Sequence, residues 1–195
     1  MLQQECEKLD PRIRRTRQLL QDALQHLLDN KDFEDISVQD ITERATLNRA
    51  TFYAHYPDKF ALLEEMIRVR FLHLLTQRNV EFDGTCPSAF RAIILAVCDF
   101  LVDFQPTLSA KQHQIGPFLQ VTVIDQIRLL LLEGFQRHPI KRRAPAEVIA
   151  ATASWAIYGA AKEWSNNPKR VPQEEFLSLA VELVAPILSA GAIAS

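Results

Sequence analysis

SVQDITERATLNRATFYAHYPDK, residues 37–59, carries the strongest structural pattern in this chain. Ser37 with Asp40 three residues later forms a capping box, which satisfies backbone N–H groups at the start of a helix. Apolar residues then recur at intervals of three and four, which predicts a helix of about two turns with one buried stripe. Asn48 is a suitable N-cap for a second helix, which we expect to run to about Tyr56.

A short turn at residues 45–47 would join the two helices into a helix-turn-helix. In such a unit the second helix enters the DNA major groove, where residues near its start reach base edges and flanking residues hold phosphates. Phe52 and Tyr56 are expected to point inward. The side chains left facing water are Arg49, Thr51, Tyr53 and His55.

The same stretch resembles a known family. Residues 41–59, followed by Leu62-Leu63, are similar to the DNA-binding domain of the TetR family of bacterial one-component regulators. The resemblance covers about residues 11–70 and rests on an aromatic pair two residues before a His, then aromatic-Pro-x-Lys and an apolar helix. Two family glycines are replaced, by Thr46 in the turn and by Lys31-Asp32 before the capping serine. If the turn requires φ > 0, threonine there costs about 1 kcal/mol.

The predicted fold is all-α, with an N-terminal three-helix domain that contains the helix-turn-helix and a C-terminal helical domain, about nine helices in all. Residues 1–10 lack periodicity and are expected to be a disordered arm, and residues 11–70 to be the DNA-binding domain. The resemblance implies that residues 71–195 bind a ligand and form a dimer.

Amphipathic patterns bounded by Pro and Gly predict the remaining helices. Asp10-Pro11 reads as the N-cap and first position of the first helix, and Asp58 caps a connector helix that runs to about Asn79. Further helices are expected at 87–104, about 117–137, 145–164 and from Pro172, with the weakest pattern at 109–114.

The composition is that of an ordinary globular protein, 48% hydrophobic and 24% charged over 195 residues. No uninterrupted apolar run reaches the length of a membrane span, and the N-terminus lacks the apolar core of a signal peptide, so we expect a cytoplasmic protein without a membrane partner. Cys6, Cys86 and Cys98 lack metal-ligand spacing and are expected to be free thiols, with redox sensing as the alternative. No metal or cofactor is expected.

The net charge of −2 does not by itself indicate DNA binding. Local clusters of basic residues do, because they can follow a phosphate backbone. A solvated basic face is the alternative interpretation. One cluster contains Arg12, Arg14, Arg15 and Arg17, and the other contains Arg44, Arg49, His55 and Lys59.

The predicted DNA contacts divide into base-reading and phosphate-holding residues. Arg49 and Thr51 lie in the first turn of the second helix, where an arginine can pair with guanine for about 1–3 kcal/mol of discrimination; an ordinary exposed pair is the alternative. The resemblance implies that Tyr53, His55 and Lys59 hold phosphates, although His55 can instead bond a neighbouring carbonyl. Amides at a helix N-terminus can hold a further phosphate. The full set is Arg14, Ser37, Val38, Asn48, Arg49, Thr51, Tyr53, His55 and Lys59.

One helix-turn-helix rarely holds a DNA site alone, so we expect a homodimer on a palindromic operator in double-stranded DNA, with half-sites about 34–36 Å apart or a multiple of that. The resemblance places the dimer contact on the last two long helices, at about 145–165 and 172–190, while packing within one subunit is the alternative. The candidate residues are Trp164, Phe176, Leu183 and Ile187.

The resemblance also implies an effector pocket among the helices between about 80 and 165. A ligand that favours one position of the connector helix would change operator affinity, typically by about 1–3 kcal/mol. The apolar bias favours a hydrophobic or aromatic compound, and each candidate is otherwise a core residue. The candidates are Phe104, Phe118, Trp155 and Tyr158, with His113 as the polar group.

These patterns together favour a transcriptional regulator, and specifically a repressor released by a small hydrophobic effector. The alternatives are a helical protein–protein adaptor or an enzyme with an incidental helix-turn-helix. An enzyme is not expected, because the chain lacks HExxH, G-x-S-x-G and a glycine-rich phosphate loop and has five glycines in total.

Overall fold

The computed structural model describes residues 10–78, 80, 87–104, 115–137 and 144–189. Within these ranges the secondary structure is entirely helical, which confirms the predicted fold class. The arm at residues 1–9, Cys6, Cys86 and the weakest predicted helix at 109–114 lie outside the described residues. The described α-helices are α1 Pro11–Leu28, α2 Val38–Ala45, α3 Arg49–His55, α4 Lys59–Gln77, α5 Pro87–Phe104, α6 Ile115–Arg137, α7 Ala146–Asn166 and α8 Gln173–Ser189, with a 3-10 turn at Phe33–Asp35.

The described residues divide into two compact units. The first contains residues 10–66 together with 115–116, and the second contains the other described residues from 67 onward. The division falls inside α4, slightly before the boundary that the sequence predicts at residue 70.

The first unit is a three-helix domain with one apolar core, in which Phe52 and Tyr56 point inward as predicted. Val38 and Leu47, at the edge of this core, are only half-buried. Helix α1 begins as expected, with the Asp10 carboxylate accepting from the Arg12 amide at 2.8 Å and Pro11 in the first helical position. The buried positions include Leu24, Leu28, Phe33, Ile41, Ala45, Phe52 and Tyr56.

The turn between α2 and α3 depends on a left-handed residue. Thr46 ends α2 with φ 56° and ψ 43°. This conformation lets the Leu47 amide donate to the carbonyl of Thr42 at 2.9 Å, which closes the helix C-terminus. Thr46 thus occupies the conformation that glycine adopts without steric cost, as the sequence comparison with the family pattern suggested.

The second unit is packed through small and aromatic residues. Helix α7 packs against α5 and α8, and Ala150, Ala153 and Ala161 on its inner face are fully buried. Phe100 of α5 lies edge-on to Phe71 of α4, with ring centroids 5.5 Å apart. These small side chains allow α7 to lie close to the helices packed against it.

A half-buried carboxylate joins three helices of the second unit. Asp99 in α5 accepts from the guanidinium of Arg78, just after α4, through one oxygen. Its other oxygen accepts from the side-chain amide of Gln173, the first residue of α8, at 2.8 Å. Its neighbour Cys98 is fully buried, and this burial raises the pKa of the thiol to about 12, which keeps the thiol protonated and unreactive.

Among the described helices, α6 is long and apolar enough to cross a membrane by length and composition alone. The sequence expectation concerned an uninterrupted apolar run, and α6 contains none of that length because Asp125, Arg128 and Glu133 interrupt it. Its residues Leu119, Val123, Ile127 and Leu131 form one fully buried stripe, which is the pattern of a core helix.

Replacing Thr46 by glycine is expected to stabilise the first unit. The left-handed conformation costs a residue with a Cβ about 1–2 kcal/mol, and glycine avoids this steric cost. Glycine loses more backbone entropy on folding, which offsets part of the stabilisation. We therefore expect Thr46→Gly to raise the free energy of unfolding by about 0.5–1 kcal/mol. Urea denaturation measures the change. The control Ala50→Gly, at an exposed right-handed position in α3, should lose about 1 kcal/mol. A loss of stability in Thr46→Gly would contradict the argument.

Candidate nucleic-acid interface

The N-terminus of α2 is closed by the predicted capping box. The Ser37 hydroxyl accepts from the Asp40 amide at 3.1 Å, and the Asp40 carboxylate accepts from the Ser37 amide at 2.8 Å. Lys31 lies 3.0 Å from the other Asp40 oxygen. The Ser37 amide therefore already has a partner inside the chain. Ser37 is exposed and Val38 is half-buried.

The N-terminus of α3 is fixed by Asn48. Its side-chain oxygen accepts from both the amide of Thr51, at 2.7 Å, and the Thr51 hydroxyl, at 2.9 Å. Thr51 is half-buried rather than fully exposed as predicted. Because its hydroxyl proton is engaged with Asn48, this hydroxyl can offer only acceptor lone pairs to a DNA base.

The outer face of α3 presents Arg49 and Tyr53 to solvent. Arg49 is exposed in the first turn, and Tyr53, four residues later on the same face, has 50% of its surface exposed. The inner face is formed by Phe52 and Tyr56, which are buried. The two faces match the prediction at these four positions.

His55, at the end of α3, is half-buried. Burial, and secondly the nearby charge of Arg17, lower the pKa of its imidazole below the ordinary value of 6.5. The imidazole is therefore neutral at pH 7 and can donate one hydrogen bond to a phosphate, but without a full positive charge. Arg17 is itself engaged, with its guanidinium 5.8 Å from the centre of the Tyr56 ring and 3.8 Å from Glu65.

Lys59 has partners that the sequence did not indicate. Its ammonium donates to the backbone carbonyls of Phe33 at 2.7 Å, Glu34 at 3.0 Å and Ile36 at 2.7 Å, and it lies 4.7 Å from the centre of the Phe33 ring. An ammonium has three N–H donors, so all of them are used. The predicted phosphate contact of Lys59 gains no support from this geometry.

The basic residues at the start of α1 remain available to an external anion. Arg12, Arg14 and Arg15 are exposed. Positive charge in the first turn of a helix opposes the helix dipole, so an anion near these side chains would be favourable.

The predicted pocket residues do not share one environment. Phe104 and Tyr158 are buried, whereas Phe118 lies at the surface and Trp155 has 56% of its surface exposed. His113 lies outside the described residues. Trp155 is thus a surface residue of the single chain, because its position in α7 is on the side opposite the buried alanines.

The predicted dimer residues also differ in their surroundings, because some are exposed and others pack within the chain. Leu183 is 72% exposed and Ile187 is half-buried. Trp164 stacks on Phe176 with ring centroids 5.3 Å apart, and its indole N–H donates to the carbonyl of Val171 at 2.9 Å. Both rings are half-buried, and their packing on each other is the alternative that the sequence left open.

The sequence analysis did not single out buried polar residues of α6, because their residue types are also those of solvent-facing positions. Thr122 and Gln126 lie one turn apart on α6 and are both buried. The Gln126 side-chain oxygen has no hydrogen-bond partner among the described residues. Among all the described residues, no group of three or more His, Cys, Asp or Glu side chains is placed to hold a metal ion.

The sequence profile of the bacterial regulatory proteins of the tetR family matches residues 20–66, which contain the second half of α1 and the whole helix-turn-helix. Over these residues, the chain is similar to the tetR family of bacterial regulatory proteins. The matched segment includes the capped α2 and α3, so the likeness covers both helices of the helix-turn-helix.

A relative and two solved structures extend the comparison. An uncharacterized HTH-type transcriptional regulator of Bacillus subtilis strain 168, YxbF, is 44% identical over 63 residues, which make up 32% of this chain and 17% of that protein. The chain thus matches less than a fifth of that relative's length.

The solved structures show that the fold likeness continues beyond this domain. A TetR transcriptional regulator from Streptococcus agalactiae 2603V has a TM-score of 0.59 at 21% identity, covering 89% of this chain and 95% of that one. The regulator FadR from Bacillus subtilis, solved in complex with stearoyl-CoA, has a TM-score of 0.52 at 12% identity, covering 89% and 98%. Identities this low establish a shared fold, which here includes the C-terminal helices.

The capping box should make the stability of the first unit depend on pH. Hydrogen bonds from the Ser37 side chain and backbone, and then Lys31, hold the pKa of Asp40 well below its ordinary value of 3.8. A carboxylate with a lowered folded-state pKa contributes stability that is present above its unfolded pKa and is lost as the pH falls. The free energy of unfolding should therefore fall more steeply below about pH 4 in the wild type than in Asp40→Asn.

Urea unfolding at a series of pH values measures this difference. Asp22→Asn, which removes an exposed carboxylate of α1 outside the cap, is the control and should keep the wild-type slope. Equal slopes for the wild type and Asp40→Asn would show that the cap does not carry this pH dependence.

Proposed function

We propose that this chain is a cytoplasmic transcriptional regulator that binds a palindromic DNA operator as a homodimer and is released by a small apolar effector. The observation that carries the proposal is the outer face of α3. It presents Arg49 and Tyr53 to solvent from a helix whose start is fixed by Asn48 and whose inner face is buried.

In this proposal α3 reads the bases. Arg49 lies in the first turn, where a helix in the major groove reaches base edges, and its guanidinium can pair with guanine. Thr51, oriented by Asn48, accepts a hydrogen bond from a base amino group. Tyr53 and the neutral His55 donate to phosphates on one side, and Arg14 contacts the backbone from α1.

The homodimer is supported by an exposed apolar face on the last two helices of the second unit. Trp155 and Val148 lie on the outer side of α7, and Leu179 and Leu183 lie one turn apart on the outer side of α8. Large apolar side chains exposed together mark an interaction surface. Gly159, four residues after Trp155, is exposed, and an added Cβ there would meet nothing within 4 Å. A partner helix can therefore approach α7 closely at that point.

The proposed occupant of this face is the same face of a second copy, which forms a four-helix bundle. This arrangement uses Leu183 as the sequence predicts, with Ile187 at its edge. It moves Trp155 from the predicted pocket to the dimer contact and leaves Trp164 and Phe176 packed within one subunit.

The effector site is proposed for the helices of the second unit. Gln126 supports it, because a buried amide oxygen without a partner costs free energy that a ligand N–H or O–H group would recover. Tyr158 is a second candidate, since its buried phenol offers a neutral hydroxyl inside the same unit. FadR, which shares the fold, was solved with stearoyl-CoA, so helical bodies of this kind can hold a long apolar ligand. The protein would be released from the operator if the ligand binds more tightly to a conformation that has low affinity for DNA.

Removing the guanidinium of Arg49 should weaken sequence-specific DNA binding. A duplex selected from a random pool by the wild-type protein serves as the probe, and Arg49→Ala should bind it roughly 10–100-fold less tightly, the cost of one bidentate base contact. Fluorescence anisotropy at about 100 mM salt measures the affinity, which should also fall steeply with salt. Arg137→Ala removes the same charge from an exposed position in the second unit and should bind as the wild type does. Unchanged binding by Arg49→Ala would exclude this reading face.

A charge on the exposed face of α8 should abolish the dimer. Leu183→Glu places a carboxylate where the partner helix would exclude water, and an unpaired buried charge is strongly unfavourable, so we expect a folded monomer at micromolar concentration. Light scattering after size exclusion gives the mass. Val121→Glu, at an exposed apolar position on α6, should remain dimeric. A dimeric Leu183→Glu would rule out this face.

A further inference from the structure

The lysine at the start of α4 is held by a segment that lies far from it in the chain. Its three carbonyl partners, Phe33, Glu34 and Ile36, come from the 3-10 turn and the residue after it, between 23 and 26 positions earlier. Carbonyls at the end of a helical turn lack helical partners, and a cation placed there satisfies them and opposes their partial negative charge. Lys59 therefore acts as the cap of this turn.

A phosphate contact by the same ammonium would have to break this arrangement. All three donors are engaged, so a DNA phosphate would have to displace at least one carbonyl and leave it without its partner. The surroundings are also unfavourable for an anion, because the charges of Asp35 and Glu34 act on Lys59. Both observations argue against direct contact with DNA.

The position of Lys59 links the two ends of the helix-turn-helix. Ile36, one of its partners, directly precedes Ser37, which caps α2. Lys59 itself follows the end of α3 by four residues, since that helix ends at His55. One ammonium thus ties the entry to α2 to the exit from α3 at the first residue of α4, and this fixes the orientation of both helices within the first unit.

We propose that Lys59 is a positioning residue for DNA recognition and not a phosphate contact. Its hydrogen bonds to the carbonyls of residues 33, 34 and 36 set the angle at which α2 and α3 are presented to the duplex. The proposal rests on the DNA-binding function proposed above. It predicts a loss of sequence discrimination, because base contacts depend on orientation whereas backbone attraction does so much less.

The test compares Lys59→Met and Lys59→Arg with the wild type on two probes, the selected duplex and a shuffled duplex of the same composition. Affinities are measured over a series of salt concentrations, at a temperature where circular dichroism shows every variant folded. Lys162→Met, on α7 in the second unit, controls for the loss of one lysine charge. Arg14→Met, at a proposed phosphate contact, should reduce the salt slope by about one unit.

Lys59→Met should bind the selected duplex at least about tenfold less tightly, as after the loss of one base contact, while binding to the shuffled duplex changes much less and the salt slope is unchanged. Lys59→Arg should lose discrimination as well, because a planar guanidinium cannot direct its N–H groups to the same three carbonyls. If Lys59→Met does not fold, Lys59→Arg carries the test with the charge retained.

Three results would overturn the proposal. A salt slope reduced by about one unit in Lys59→Met, with equal losses on both duplexes and normal binding by Lys59→Arg, would identify a phosphate contact. A lowered melting temperature with unchanged discrimination in the folded variants would identify a purely structural role. Normal discrimination by Lys59→Met at an unchanged melting temperature would show that the three hydrogen bonds are not needed. Failure of the DNA-binding function itself would be distinguishable, since the wild type would then select no duplex.

Discussion

The hydrogen bonds of Lys59 are the constraint on which the geometry of the first unit depends. Helices α2 and α3 are only 8 and 7 residues long, and helices this short have little stability of their own. Their arrangement must come from their caps, their buried face and the segments that lead into and out of them. The ammonium of Lys59 contacts the incoming segment at three carbonyls, so a side chain outside the helix-turn-helix holds its two ends at a fixed separation.

The acidic residues of the first unit explain how a chain with a net charge of −2 can carry an exposed basic face, as the proposed DNA binding requires. Asp10, Asp40 and Asp58 each accept a hydrogen bond from a backbone amide at the start of a helix. At these positions a carboxylate stabilises the helix dipole and lies close to its own partners. The exposed arginines at positions 12, 14, 15 and 49 are not paired with these carboxylates, and net charge therefore describes this surface poorly.

Much of the fold follows from the sequence, because its signals are local. The capping box of Ser37, the N-caps Asp10 and Asn48, and the inward positions of Phe52 and Tyr56 all depend on residues within four positions of each other. The conformation of Thr46 was indicated by the same local logic.

The features that the sequence did not indicate depend on distant parts of the chain. The partners of Lys59 lie more than 20 positions earlier. The spacing of apolar residues does not predict which backbone carbonyls of a turn a distant side chain contacts. Trp155 and Trp164 are both large aromatic residues of α7, nine positions and thus about 180° apart on the helix. Only the neighbouring helices decide that Trp164 stacks on Phe176 while Trp155 faces solvent. In the same way, a pattern that treats glutamine as a polar residue does not predict that the amide of Gln126 is buried.

The shared carboxylate of Asp99 has a mechanical consequence for the second unit. Both of its oxygens are occupied, one by Arg78 and the other by Gln173, so a shift of α5 along its axis stretches bonds to two other helices at once. A displacement of α5 is therefore resisted at the end of α4 and at the start of α8 together.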